Sequence, residues 1–229
     1  MENVTHTVDF EVQAHYARMN ALAWTYYDIA QSAYLKILVE RENPIASLED
    51  EDPAPQLQQG QRLKRLSFQT IVFSAMSCEA AIFDLAAIQL GDDYASKYLD
   101  KLDLVSKWVV VPPLICGRSM NVDGPAINAL RELTRLRNAL VHHKSLPGIT
   151  EPEMLEKGER QMRRFLDGTD ISFKTMILLS LELHRVLKVR SGTLPFFEGE
   201  IIKLNEGMYP EPILEVILKC REIDTRNAS

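Results

Sequence analysis

The sequence has only three cysteines, Cys78, Cys116 and Cys220, too few and too widely spaced for a disulfide framework or a zinc site. Its five histidines do not sit at metal-ligand spacing from cysteines or carboxylates, so no metal or other cofactor is expected. The opening residues, Met-Glu-Asn-Val-Thr-His-Thr-Val-Asp, lack a basic stretch followed by an apolar core, which argues against a secretory signal. There is no glycine-rich loop of the kind that cradles phosphates, no internal repeat and no low-complexity tract. Strand-type alternation is weak throughout. Positive charge is also lacking overall: the net charge is −6, so no global field draws nucleic acid in, and any such binding needs a local basic patch. One membrane-like run exists, Ile71–Leu90, with fifteen apolar residues in twenty. It carries Glu79, Asp84 and Gln89, which lipid tolerates poorly, so the expectation is a buried central helix in a cytoplasmic protein with no membrane contact.

What remains is an ordinary globular composition, 46% hydrophobic and 25% charged, in a chain long enough for one substantial core. Helical periodicity without glycine or proline spans 9–40, with Tyr16, Trp24, Tyr27 and Tyr34 along it. An acidic loop follows over 41–59, containing Glu49-Asp50-Glu51-Asp52. A second long helix is expected over 61–90, basic at its start and stopped by Gly91. Asp92 or Asp93 can cap a short helix to Lys101, and an apolar helix from Leu102 should end at Pro112-Pro113. Asp123 as cap and Pro125 in the first turn open the next helix, which runs to about His143. An exposed helix over Glu151–Phe165 with Glu156–Arg160 and Glu159–Arg163 pairs, an apolar one over Ile171–Val189, a loop or hairpin at Phe196–Asn205 and a last helix near Pro212–Arg221 complete the chain. The reading is a single all-α domain over 1–229, with a bundle core at about 61–190 and an appendage over 191–229.

The segment Arg131-Glu-Leu-Thr-Arg-Leu-Arg-Asn-Ala-Leu-Val-His-His-Lys144 is the most informative one. At about 100° per residue, Ala129, Leu130, Leu133, Leu136 and Leu140 make an apolar stripe, and Arg137 falls within it. Arg131, Arg135, Asn138 and His142 share a neighbouring arc of about 60° on the same wheel. A guanidinium on a core-facing stripe needs an acidic partner. Glu79, itself in an apolar helix, is the leading one, and a pair with Arg137 or Arg135 would relieve both burial costs. Asn138 and His142 are helical neighbours, so the amide can orient the imidazole, a natural proton carrier near neutral pH. Arginine offers a fork that fits phosphate. Arg137 and His142 diverge by about 140° on one helix, and a two-fold axis between two copies would bring them together. The plainer alternative is a solvated basic face with a snorkelling or salt-bridged arginine. Lys107 and Trp108 read as helix packing rather than a base-stacking site.

Arg137-Asn138-Ala139-Leu140-Val141-His142 resembles the Arg-polar-x-x-x-His motif of the HEPN superfamily, helical-bundle proteins named for higher eukaryotes and prokaryotes nucleotide-binding. Ser77-Cys-Glu-Ala-Ala-Ile-Phe-Asp84 is similar to a helix found upstream of that motif in bacterial HEPN-like proteins, and Lys101-Leu-Asp-Leu-Val-Ser-Lys-Trp108 resembles the segment between the two. Together these cover about residues 70–145. The resemblance implies a HEPN-like helical bundle with extra N- and C-terminal helices, homodimeric through the 123–143 helix. It implies a metal-independent endoribonuclease in which Arg137 holds the scissile phosphate, His142 serves as acid and base, and Asn138 orients or binds. Glu79 would support the arginine, and Arg131, Arg135, His143 and Lys144 would attract RNA. Members of the family also include toxin–antitoxin and phage-defence components with cognate partners, and inactive interaction or nucleotide-binding modules, which is the contrasting reading.

Overall fold

The computed structural model describes residues 21–43, 54–142, 150–198 and 209–227, and no strand occurs among them. The fold is all-α. Its elements are α1 (Ala23–Glu42), α2 (Ala54–Leu90), the single turn α3 (Asp92–Tyr94) running into a π-helical turn (Ala95–Leu99), α4 (Leu104–Cys116), α5 (Pro125–Val141), α6 (Glu151–Leu187) and α7 (Glu211–Asn227). The long helices α2 and α6 form the frame. α1 lies along α2, α5 lies along α6, and α4 closes against α2, while α7 covers the C-terminal half of α6. One continuous apolar core draws on all of them, including Tyr34, Ile71, Ile82, Leu85, Trp108, Leu130, Leu133 and Phe173. The helix α2 is long and apolar enough to cross a membrane, and more than half of its most apolar stretch is buried inside the fold, as in a core helix. Of the expected N-terminal helix and acidic loop, residues 9–20 and 44–53 lie outside the described residues, as do 199–205 of the segment expected to form a hairpin.

Several helix boundaries differ from the sequence expectation for identifiable reasons. The helix α2 begins at Ala54 rather than 61, with Pro55 in its first turn, so 54–59 of the expected acidic loop are helical. Pro112 and Pro113 do not end α4, which continues to Cys116 and stops at Gly117, whose φ of 69° supplies the left-handed cap. A proline holds a helical φ natively, and although each costs an N–H and crowds the carbonyl four residues back, these two fall in the last turns, where the Gly117 N–H still bonds the Pro113 carbonyl. Likewise 151–165 and 171–189 are not two helices. They are parts of the one helix α6, opened by Thr150, whose N–H donates to Glu153 Oε2 at 3.1 Å.

Gly168 explains why the run Leu-Asp-Gly-Thr-Asp170 reads as a turn and folds as helix. A Cβ on Gly168 would stand 2.5 Å from Leu136 Cδ1, so the glycine is there for the close crossing of α6 over α5. Leu136 is fully buried and has little room to swing aside. Gly168→Ala is therefore expected to cost about 1–3 kcal/mol by overpacking, outweighing the helix-propensity gain. Gly158→Ala, with nothing near its added methyl, should instead stabilise by about 0.5–1 kcal/mol. Urea melts of the two variants decide, and equal stabilisation by both would refute the close crossing.

Side-chain bonds fix the register of these helices. Arg41 at the end of α1 donates to Asp170 Oδ1 at 2.9 Å and to the Leu166 carbonyl at 2.7 Å, tying α1 to α6. Glu182 of α6 is almost fully buried and accepts the Asn121 backbone N–H at 2.5 Å, which pins the loop that launches α5. Burial raises the Glu182 carboxyl above the ordinary glutamate value, and the Asn121 bond offsets part of that. The loop then turns tightly into Gly124 and Pro125. The cap of α5 is Gly124 rather than Asp123, because a Cβ there would meet the Asn121 carbonyl at 3.0 Å.

Candidate functional site

The helix α5 presents its core face through Ala126, Ala129, Leu130, Leu133 and Leu136. Arg137 lies at the edge of that stripe and is half-buried. It lines a cleft of about 760 Å³ between α2, α4 and α5, together with Thr134 and Asn138 of its own helix, Glu79 and Phe83 of α2, and Lys107 of α4. The expected burial of Arg137 in the core is thus corrected: the stripe centres on Leu133 and Leu136, and the guanidinium emerges where the cleft opens.

The expected pairing of Arg137 or Arg135 with Glu79 is also corrected. Glu79 Oε1 accepts from Lys107 Nζ, and Lys107 reaches Asp100 Oδ1 at 3.4 Å on its other side. Lys107 is the buried member of this cluster, its side chain only 5% exposed against 41% for Glu79 and 62% for Asp100. The π-helical turn carries the chain round so that Asp100, whose N–H bonds the Ala95 carbonyl at 2.9 Å, faces the lysine. Next to Lys107, Trp108 is fully buried and donates Nε1–H to the Cys78 carbonyl at 3.2 Å, so it packs and does not stack on a ligand. Burial, reinforced by Glu79, pushes the Cys78 thiol well above its ordinary range, and burial pushes Cys220 up to about 12. Neither is a thiolate nucleophile at neutral pH.

Arg137 makes one side-chain bond, from Nη1 to Asn138 Oδ1 at 2.9 Å. Among the described residues no carboxylate pairs with it. The side-chain Oδ1 of Asn138 accepts from this arginine, and among the described residues the amide makes no bond to the His142 imidazole. The imidazole of His142 sits exposed at the C-terminal cap of α5, outside the cleft, with the backbone N–H bonded to the Asn138 carbonyl at 2.9 Å. Within one chain, then, Arg137 and Asn138 come together and His142 faces away, as the five-residue spacing requires.

Arg131 and Arg135 are exposed on the solvent side of α5. The first donates to Asn128 Oδ1 at 2.7 Å and keeps its full charge, while the second pairs with Glu132 at 3.1 Å. His143 and Lys144 lie outside the described residues. Carboxylates outnumber cations in the cleft itself, Glu79, Asp84, Asp100 and Asp103 against Lys107 and Arg137. Among the described residues no three His, Cys, Asp or Glu side chains group as a metal site would require.

Sequence reasoning missed the Lys107 cluster. The signal was available in the seven-residue spacing of Asp100 and Lys107, but only the fold could show which helix supplies the second carboxylate. It also missed Arg163 and Arg164, on the exposed half of α6. Arg160 does pair with Glu156 as expected, but no Glu159–Arg163 pair forms among the described residues. Compared with family models, curated proteins and solved structures, this all-helical chain matches none.

Proposed function

We propose that the chain is a HEPN-like protein of the cytoplasm that acts as a homodimer through α5 and cuts RNA without a metal ion, as a toxin or phage-defence component. The observation that carries this reading is the state of Arg137. A half-buried guanidinium with no acidic partner among the described residues, held at its edge by the neutral Asn138, is poised for an external anion. A structural salt bridge would have left it neutralised. In the proposed reaction Arg137 holds the scissile phosphate and stabilises the charge that grows on its oxygens. His142 takes the proton from a ribose 2′-OH as that oxygen attacks phosphorus. The P–O5′ bond breaks, the leaving oxygen gains a proton, and a 2′,3′-cyclic phosphate remains. Arg137 and His142 of one chain diverge, so the site needs His142 from one protomer and Arg137 from its two-fold mate.

The second reading is a non-catalytic HEPN interaction or nucleotide-binding module with a cognate partner. The excess of carboxylates in the cleft favours it. RNA digestion in EDTA, run with wild type and His142→Ala in parallel, separates the two. The expected result is cutting by wild type to cyclic-phosphate ends and background rates for the variant. An inert wild type on varied RNAs, or an equally active variant, hands the case to the interaction module.

A further inference from the structure

We propose that the exposed half of α6 supplies the RNA-binding track that α5 lacks, a groove in which Arg160, Arg163 and Arg164 hold successive phosphates of a single strand. The proposal rests on the ribonuclease reading above for the identity of the ligand, and adds where the strand lies. The groove has a volume of about 500 Å³ and runs between α6 and Glu132 of α5. Arg160, Arg163 and Arg164 recur at three- and four-residue steps, which places them on one side of α6. Arg163 and Arg164 have no acidic partner among the described residues, whereas Arg160 is paired with Glu156. Of the two carboxylates in the groove, Glu132 and Asp167, Glu132 is already taken up by Arg135, which leaves an excess of positive charge.

The geometry of α5 connects this groove to the cleft. On the helical wheel Glu132 marks one flank of α5 and Arg137 the other, about 140° apart across the apolar stripe and about 220° apart round the solvent side. The solvent-facing arc that joins them through Asn138 carries Arg135, His142 and Arg131. A strand leaving the α6 arginines thus meets the edge of α5 at Arg135 and His142, where the two-fold mate supplies the Arg137 that completes the site. An acidic protein gains a local basic path this way, from two consecutive helices.

The test is fluorescence anisotropy with a labelled single-stranded RNA of about 20 nucleotides over a salt series. His142→Ala serves as the background, so that cleavage does not interfere. Adding Arg163→Ala and Arg164→Ala should weaken binding about tenfold at low salt and lower the slope of log K against log salt by about 1.4, for two lost phosphate contacts. Arg163→Lys with Arg164→Lys should restore most of both, which a fold defect would not allow. Unchanged affinity and slope would overturn the track. Binding that depends on these arginines with no cutting by the otherwise wild-type chain keeps the track and sinks the ribonuclease. Cutting that needs His142 but not Arg163 or Arg164 does the reverse.

Discussion

Replacing Arg137 by alanine is expected to lower RNA cleavage about 10²–10³-fold, the usual loss when a donor to a charged transition state is removed. The same change should cost less than about 1 kcal/mol of stability, because it breaks a single exposed bond to Asn138 and strands no carboxylate. This split between rate and stability is the signature of a residue held for a ligand. A structural arginine gives the opposite pattern. Cleavage assays and urea melts on one preparation measure both, and a large loss of stability with little loss of rate would refute the role.

The shared site makes a sharper demand. Arg137→Ala and His142→Ala protomers are each inactive as homodimers, since both sites lack one partner. Mixed and allowed to exchange, half the dimers become hybrids, and in each hybrid one site regains an intact arginine and histidine. Activity should return to about a quarter of wild type. No recovery would mean that arginine and histidine serve the same site from one chain, which the exposed, divergent position of His142 argues against.

Helical class and the order of the elements were legible because the apolar positions repeat at three and four residues, most clearly at Leu130, Leu133 and Leu136 and at Ile71, Ala75, Ile82 and Leu85. Two of the misread boundaries share a cause. Gly168 and Pro112-Pro113 carry strong local turn signals, and tertiary contact decided otherwise, through Leu136 at the first and the Gly117 cap at the second. The partner of Glu79 was illegible for a related reason. Arg137 and Lys107 both sit on helices that pack against α2, and nothing local distinguishes the cation that turns inward. Lysine 107 won because α4 buries Trp108 beside it and the π-helical turn brings Asp100 to its other side. The grouping of Arg163 and Arg164 beside α5 depends on how α6 crosses it, which no single helix can reveal.

Lys107 itself should behave opposite to Arg137. It is the desolvated charge of its cluster, while Glu79 and Asp100 keep contact with water. Neutralising both carboxylates together, Glu79→Gln with Asp100→Asn, leaves a buried ammonium without a counter-charge, and the expected cost is about 3–5 kcal/mol. Lys107→Met should cost far less, since an apolar chain of similar length fits a buried site and the two released carboxylates are solvated. In the Lys107→Met background the same two carboxylate changes should then have almost no effect, so the triple variant is more stable than the double. Denaturant melts of the complete cycle read this coupling directly. If Lys107→Met proves as damaging as the double neutralisation, or if the costs simply add, desolvation of the lysine is not what holds the cluster together.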